Sequence, residues 1–127
     1  MNKLLFVALG GAIGSSLRFF LSALIPRVLG RIFLWGTFSV NIIGSLLIGI
    51  LWAYFENNLS NYNLKLFLVV GLLGGFTTFS SFSLETLNLF KTDGIRTALL
   101  YIFATNIFGI LAAFIGYYLS KEIISIT

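Results

Sequence analysis

The residues of this chain that could do chemistry are hydroxyls, amides and one arginine, set in long apolar runs. Thr37, Asn41 and Ser45 recur every four residues, the spacing that stacks side chains on one helix face. Tyr101, Thr105 and Gly109 repeat that interval, with Asn106 on a neighbouring face, and Gly11, Ser15, Arg18 and Ser22 follow at steps of four, three and four. Asn41 is the strongest single polar residue: a buried amide needs partners for two N–H donors and an oxygen, so it either holds helices together or lines a wet path. One such stripe packs helices; three on three different runs, each with donors, point to a polar conduit. The chain has no cysteine and no histidine, which excludes disulfides, thiol nucleophiles, zinc sites with nitrogen or sulfur ligands and His-based triads.

Three further features bear on what such a conduit would pass. Arg18 falls about 5 to 6 Å from the midplane of its run at 1.5 Å per residue. A central arginine is expensive there, so it faces protein, water or an anion, or snorkels to carbonyls near the end of the span. Residues 74–81 read Gly-Gly-Phe-Thr-Thr-Phe-Ser-Ser, poor in helix formers, and predict that the third run is broken near its middle. Backbone leaves helical geometry inside a membrane only where protein or water satisfies it, and such breaks recur at ion and substrate sites. Phe79 and Phe82 lie three apart just beyond. Their rings either pack in the core or against lipid, or aim their positive edges at a conduit, where they would support a desolvated anion without trapping it. Glu85, the sole acidic residue within any run, is read as facing a vestibule rather than coupling protons.

The elements that must position these groups follow from composition. The 127 residues are 58% apolar, 17% aromatic and 9% charged, against about 25% charged in a soluble domain. Spans of about 20 residues cross a bilayer, and the apolar runs place four of them at about 4–25, 32–55, 64–90 and 96–119. Pro26 is expected to close the first span, the polar cluster Glu56, Asn57, Asn58, Ser60, Asn61 and Asn63 the second, and Lys91-Thr92-Asp93-Gly94 the third. The expected fold is a single all-α integral membrane domain of four transmembrane helices, the third broken. Lys3 followed by residues 4–9 imitates a signal peptide, but apolar character resumes after Gly10, as in a retained span. Lys3, Lys65 and Lys121 fall on one side, and Arg27, Arg31, Lys91 and Arg96 on the other, with Arg18 inside the first span. The imbalance is too small for the positive-inside rule to choose a side, so insertion in both orientations is one reading. Orientation set by the middle loop or the N-terminus is the other. The scattered Lys and Arg exclude a nucleic-acid arm.

GGAIGSSLRFF at residues 10–20, GTFSVNIIGS at 36–45 and GLLGGFTTFSSFS at 71–83 resemble the three signatures of the small fluoride channels, the Fluc or CrcB family. Order, spacing and approximate length all match. Gly-Thr-x-x-Val-Asn together with Gly-x-Thr-Thr-Phe-Ser-x-Phe carries most of the specificity. The resemblance implies an antiparallel, dual-topology homodimer in the cell inner membrane, with two fluoride pathways and a sodium ion where the two broken third helices cross. It implies passive fluoride export and no enzymatic activity, with the bilayer, fluoride, sodium and a second copy as partners and no nucleic acid. Carried over by position, Asn41 and Thr37 line the pathway from the second span, Phe79 and Phe82 are its aromatics, and Ser81, Tyr101 and Thr105 match polar pore-side positions. Arg18 matches the arginine of the first signature, and the carbonyls of Gly74 and Thr77 match the sodium site.

The departures from that pattern are Phe19, where an aromatic with a hydroxyl is usual, Phe38 for a common leucine, and Ser81 and Thr105, which exchange one hydroxyl residue for another. They touch mainly the hydrogen bonding near Arg18. A small multidrug exporter also has four spans, but its coupling needs a carboxylate in the first span, and none is present here. A structural subunit that packs against a larger membrane complex is the alternative from a different class, separable by flux through purified protein in liposomes.

Overall fold

The computed structural model describes residues 2–30, 34–58 and 61–126; Arg31, Ile32 and Ser60 of the expectations above lie outside the described residues. The regular elements there are all helical: α1 (Asn2–Leu29), α2 (Trp35–Asn57), α3 (Tyr62–Lys65), a π-helical stretch (Leu66–Leu73), α4 (Gly74–Phe76), α5 (Phe79–Thr92) and α6 (Ile95–Ile126). The pieces from α3 to α5 form one path, so four segments are long and apolar enough to cross a membrane: Asn2–Leu29, Trp35–Glu56, Tyr62–Thr92 and Ile95–Ser125. At 1.5 Å per residue, each reaches across a hydrocarbon layer of about 30 Å. Gly30 and Gly94 take positive φ, 92° and 86°, where a glycine turns the chain out of a helix without steric penalty.

Pro26 does not close the first helix, as its chemistry suggested; α1 runs on to Leu29 with Pro26 inside its last turn. A proline there removes only the one N–H that would have bonded the Ser22 carbonyl. Gly36 of α2 packs on that carbonyl, so closely that a Cβ at Gly36 would stand 2.7 Å from it.

Two contacts build the bundle. The first joins α1 to the π-helical stretch and α4, backbone against backbone. A methyl on Gly71 would stand 2.7 Å from the Val7 carbonyl and one on Gly75 2.6 Å from the Gly11 carbonyl, while methyls on Gly10 and Gly14 would overlap the Phe67 and Leu72 carbonyls. Small residues allow this approach where lipid provides no hydrophobic drive between helices. The second contact, of similar extent, runs along α2 and α6, and α5 lies against both. Val40, Phe55, Leu73, Phe76, Ala98 and Tyr101 are buried.

Candidate functional site

The helical path of the third span is interrupted for two residues. Thr77 (φ −78°, ψ 156°) and Thr78 (φ −147°, ψ 117°) are extended, whereas Gly74–Phe76 and the residues from Phe79 onward are helical. The break is therefore shorter than the eight-residue stretch poor in helix formers. The Thr77 N–H still donates to the Leu73 carbonyl at 3.0 Å, while both backbone groups of Thr78 and the Gly75 carbonyl are taken by side chains from other spans. The Thr78 N–H donates to Asn41 Oδ1 at 2.8 Å and Asn41 Nδ2 donates to the Thr78 carbonyl at 3.1 Å, so one amide on α2 takes both backbone groups of one residue. Arg18 Nε donates to the Gly75 carbonyl at 3.0 Å. The new start of helix α5 is capped by Thr78, whose Oγ1 accepts from the Ser81 N–H at 3.1 Å and donates to Ser81 Oγ at 3.1 Å, the usual role of threonine at an N-cap. Thr77 sits against α2 because Gly44 has no side chain there: a Cβ at Gly44 would overlap the Thr77 methyl.

The break frees particular carbonyls. In an unbroken helix the Gly74 carbonyl would accept from the Thr78 N–H and the Thr77 carbonyl from the Ser81 N–H. Those two donors are held instead by Asn41 and by the Thr78 hydroxyl.

Beside the break a groove of about 480 Å³ opens between α2, α6, the π-helical stretch and the two halves of the third span, and Asn41, Ser45, Gly74, Thr77, Thr78, Phe79, Phe82, Thr105, Asn106 and Gly109 are among its lining residues. Among the described residues no acidic one lines it. Phe79 and Phe82 share it, ring centroids 5.7 Å apart, but they differ in burial: Phe82 is 8% exposed and Phe79 77%. The Thr105 hydroxyl is buried and, among the described residues, is the one buried side-chain polar atom without a hydrogen-bond partner.

Next to Phe82 lies a second polar cluster. Thr37 Oγ1 donates to Glu85 Oε1 at 2.6 Å, and the Tyr101 hydroxyl donates to Glu85 Oε2 at 2.5 Å, so one carboxylate joins α2, α5 and α6. The Phe82 ring, which lines the groove, lies 5.4 Å from the Tyr101 ring.

Of the residues singled out by sequence, the groove gathers Asn41, Phe79, Phe82, Thr105, Gly74 and Thr77. Thr37 and Tyr101 gather on Glu85, Ser81 serves the cap at Thr78, and Arg18 holds the break from the α1 side. Two participants were not among the candidates: Thr78, whose backbone is the partner of Asn41, and Glu85 as the shared acceptor. The signal for Glu85 was present, since an ionisable residue inside a span marks a site by default. Nothing in the spacing of Asn41 and Thr78, 37 residues apart, could have paired them.

A family model described as CrcB-like protein, Camphor Resistance (CrcB), matches residues 5–117. The chain belongs to the CrcB-like family. Among its curated relatives, a protein named fluoride-specific ion channel FluC from Parabacteroides distasonis is 46% identical over 98% of each chain. One of the same name from Thermus thermophilus is 49% identical over 98% of this chain and 99% of the relative. A third, from Helicobacter pylori, is 41% identical over 96% of this chain and 95% of the relative. In this CrcB-like chain the break, the groove and the Glu85 cluster draw on residues of all three sequence signatures, Arg18 among them, together with Glu85 just beyond the third and residues of α6.

Proposed function

We propose that this protein is a fluoride-selective passive channel of the cell inner membrane that lowers internal fluoride. The observation that carries the reading is the groove at the break, which offers amide and hydroxyl donors beside two phenylalanine rings and has no carboxylate in its lining. Fluoride is compact, strongly hydrated and a strong acceptor, so a path for it needs close donors to replace its water. Asn41, Thr105 and the ring edges of Phe79 and Phe82 supply such contacts, with Thr37, Ser81 and Tyr101 further along the path and Arg18 holding its wall. The near-full-length relatives named for fluoride-specific conduction support the same activity. A proton-coupled exporter is disfavoured, because Glu85, among the described residues the one carboxylate away from the ends of a span, is engaged by Thr37 and Tyr101.

The assembly is an antiparallel, dual-topology homodimer of four-span subunits. Three basic residues at one end against four at the other leave little orientational bias. Gly74 is exposed with open space about it, and Phe79, which lines the same groove, is exposed too. A second copy lying across this side would bring its own broken third span against these residues. The Gly74 and Thr77 carbonyls, relieved of their helical donors, fit a sodium ion, which takes neutral oxygen ligands and would supply fixed positive charge near the anion paths.

Deleting the gene in its host tests the reading. Growth should become sensitive to fluoride, most strongly in acidic medium where hydrogen fluoride enters and dissociates inside. Sensitivity equal to that of the parent strain would contradict the assignment.

A further inference from the structure

Asn106 is an amide in the middle of α6 that the reading above leaves without a task. It lies 11 residues into the Ile95–Ser125 span, about 16 Å along the axis at 1.5 Å per residue and so near half the depth of a hydrocarbon core of about 30 Å. Its Nδ2 donates to the Ile102 carbonyl at 2.7 Å. That bond uses one of two amide protons; the second N–H and Oδ1 have no other protein partner among the described residues. A polar group left open at that depth is costly against lipid. Asn106 is exposed, and it is among the residues that line the groove holding Asn41, Phe79 and Phe82.

A second observation points the same way. Thr105, the preceding residue, lines the same groove, is 8% exposed and has a buried hydroxyl without a partner. Two adjacent residues of α6 thus present unspent donors to one groove whose lining contains no acidic residue. A cation would favour carboxylates, and an anion accepts what these groups offer.

We propose that the Asn106 carboxamide is a further anion-contacting donor of the pathway, completing with Thr105 the α6 wall that faces Asn41 on α2. The assignment rests on the fluoride-channel reading and adds a residue to it. Asn106 takes over part of the hydration of the ion at the open edge of the groove, while Thr105 does so in its buried part.

The test uses the full-length protein in liposomes, comparing wild type, Asn106→Leu and Asn106→Ser by initial fluoride efflux, with oligomeric state measured on the same preparations. Asn106→Leu keeps the volume and removes the donor, and should slow efflux about tenfold, the scale of one hydrogen bond to a charged group, with assembly unchanged. Asn106→Ser keeps a donor and should stay within about threefold of wild type. Wild-type efflux from Asn106→Leu, equal loss in both variants, or a loss that tracks dissociation of the assembly would each overturn the proposal, the last assigning Asn106 to subunit contact. Absence of fluoride efflux from the wild type would instead overturn the channel reading itself.

Discussion

The two halves of the third span meet their neighbours in opposite ways. Before the break, residues 62–76 press backbone to backbone on α1 through Gly10, Gly14, Gly71 and Gly75. After it, α5 meets α2 and α6 through side chains that carry hydroxyls, an amide, a carboxylate and aromatic rings. The first contact has shape and almost no chemistry; the second has donors and a groove. Asn41 and Arg18 join the two at the break, Asn41 by accepting from the Thr78 N–H and Arg18 by donating to the Gly75 carbonyl, both backbone groups that the interruption has released. Substitutions before the break should therefore act on folding, those after it on conduction, and those at the break on both.

Gly14→Leu should have the largest effect. Even a methyl at this position would overlap the Leu72 carbonyl, and neither backbone can retreat. Overpacking of this kind costs about 3 kcal/mol or more, and the expected outcome is loss of monodisperse protein in size-exclusion chromatography. A well-folded, conducting Gly14→Leu variant would show that this contact is softer than its geometry.

Asn41→Asp comes next, because it acts at the junction. A carboxylate cannot donate to the Thr78 carbonyl as Asn41 Nδ2 does, and it places a negative charge in the groove. Two unit charges 4 Å apart at an effective dielectric of about 20 repel by about 4 kcal/mol, so fluoride efflux should nearly vanish, with a lowered melting temperature. Intact efflux would remove Asn41 from the pathway.

Phe82→Ile separates the two kinds of contact most cleanly. Volume is roughly kept, so the stability cost should be under about 1.5 kcal/mol, yet the ring quadrupole beside the groove is lost. Strongly reduced efflux from a normally assembled protein is expected, and an aliphatic residue that conducts like phenylalanine would reduce Phe82 to packing. Tyr101→Phe should have a milder effect. It removes one of the two side-chain donors to Glu85, which contributes about 1.5 to 3 kcal/mol to a charged acceptor, and a severalfold drop in efflux should accompany a modest fall in melting temperature. Smallest of all is Trp52→Leu, at the far end of α2, where Lys65 Nζ lies 4.3 Å from the Trp52 ring centroid. Loss of about 0.5 to 1 kcal/mol should leave the efflux rate unchanged.

Local signals and long-range ones were not equally readable. Apolar runs and their polar boundaries marked four helical segments because hydropathy needs no knowledge of neighbours. Gly94 signalled its turn, and the Gly-Gly-Phe-Thr-Thr-Phe run signalled an interruption. Pro26 misled, since its cost depends on whether the freed Ser22 carbonyl has room, and Gly36 provides that room from another helix. The π-helical stretch Leu66–Leu73 left no trace, because a run of uniformly apolar residues has no periodicity to distinguish 3.6 residues per turn from a wider turn. At the candidate site, residue types were legible and partners were not. Asn41 stood out as an amide that needs partners, but its match to both backbone groups of Thr78 is a product of the break itself.

The central claim is selective, passive conduction of fluoride, and paired efflux from one vesicle preparation tests it most directly. Purified protein in liposomes loaded with both halides should release fluoride down its gradient, with no proton gradient or nucleotide, while chloride stays inside. Equal release of the two anions, or fluoride release only when a proton gradient is imposed, would contradict the account.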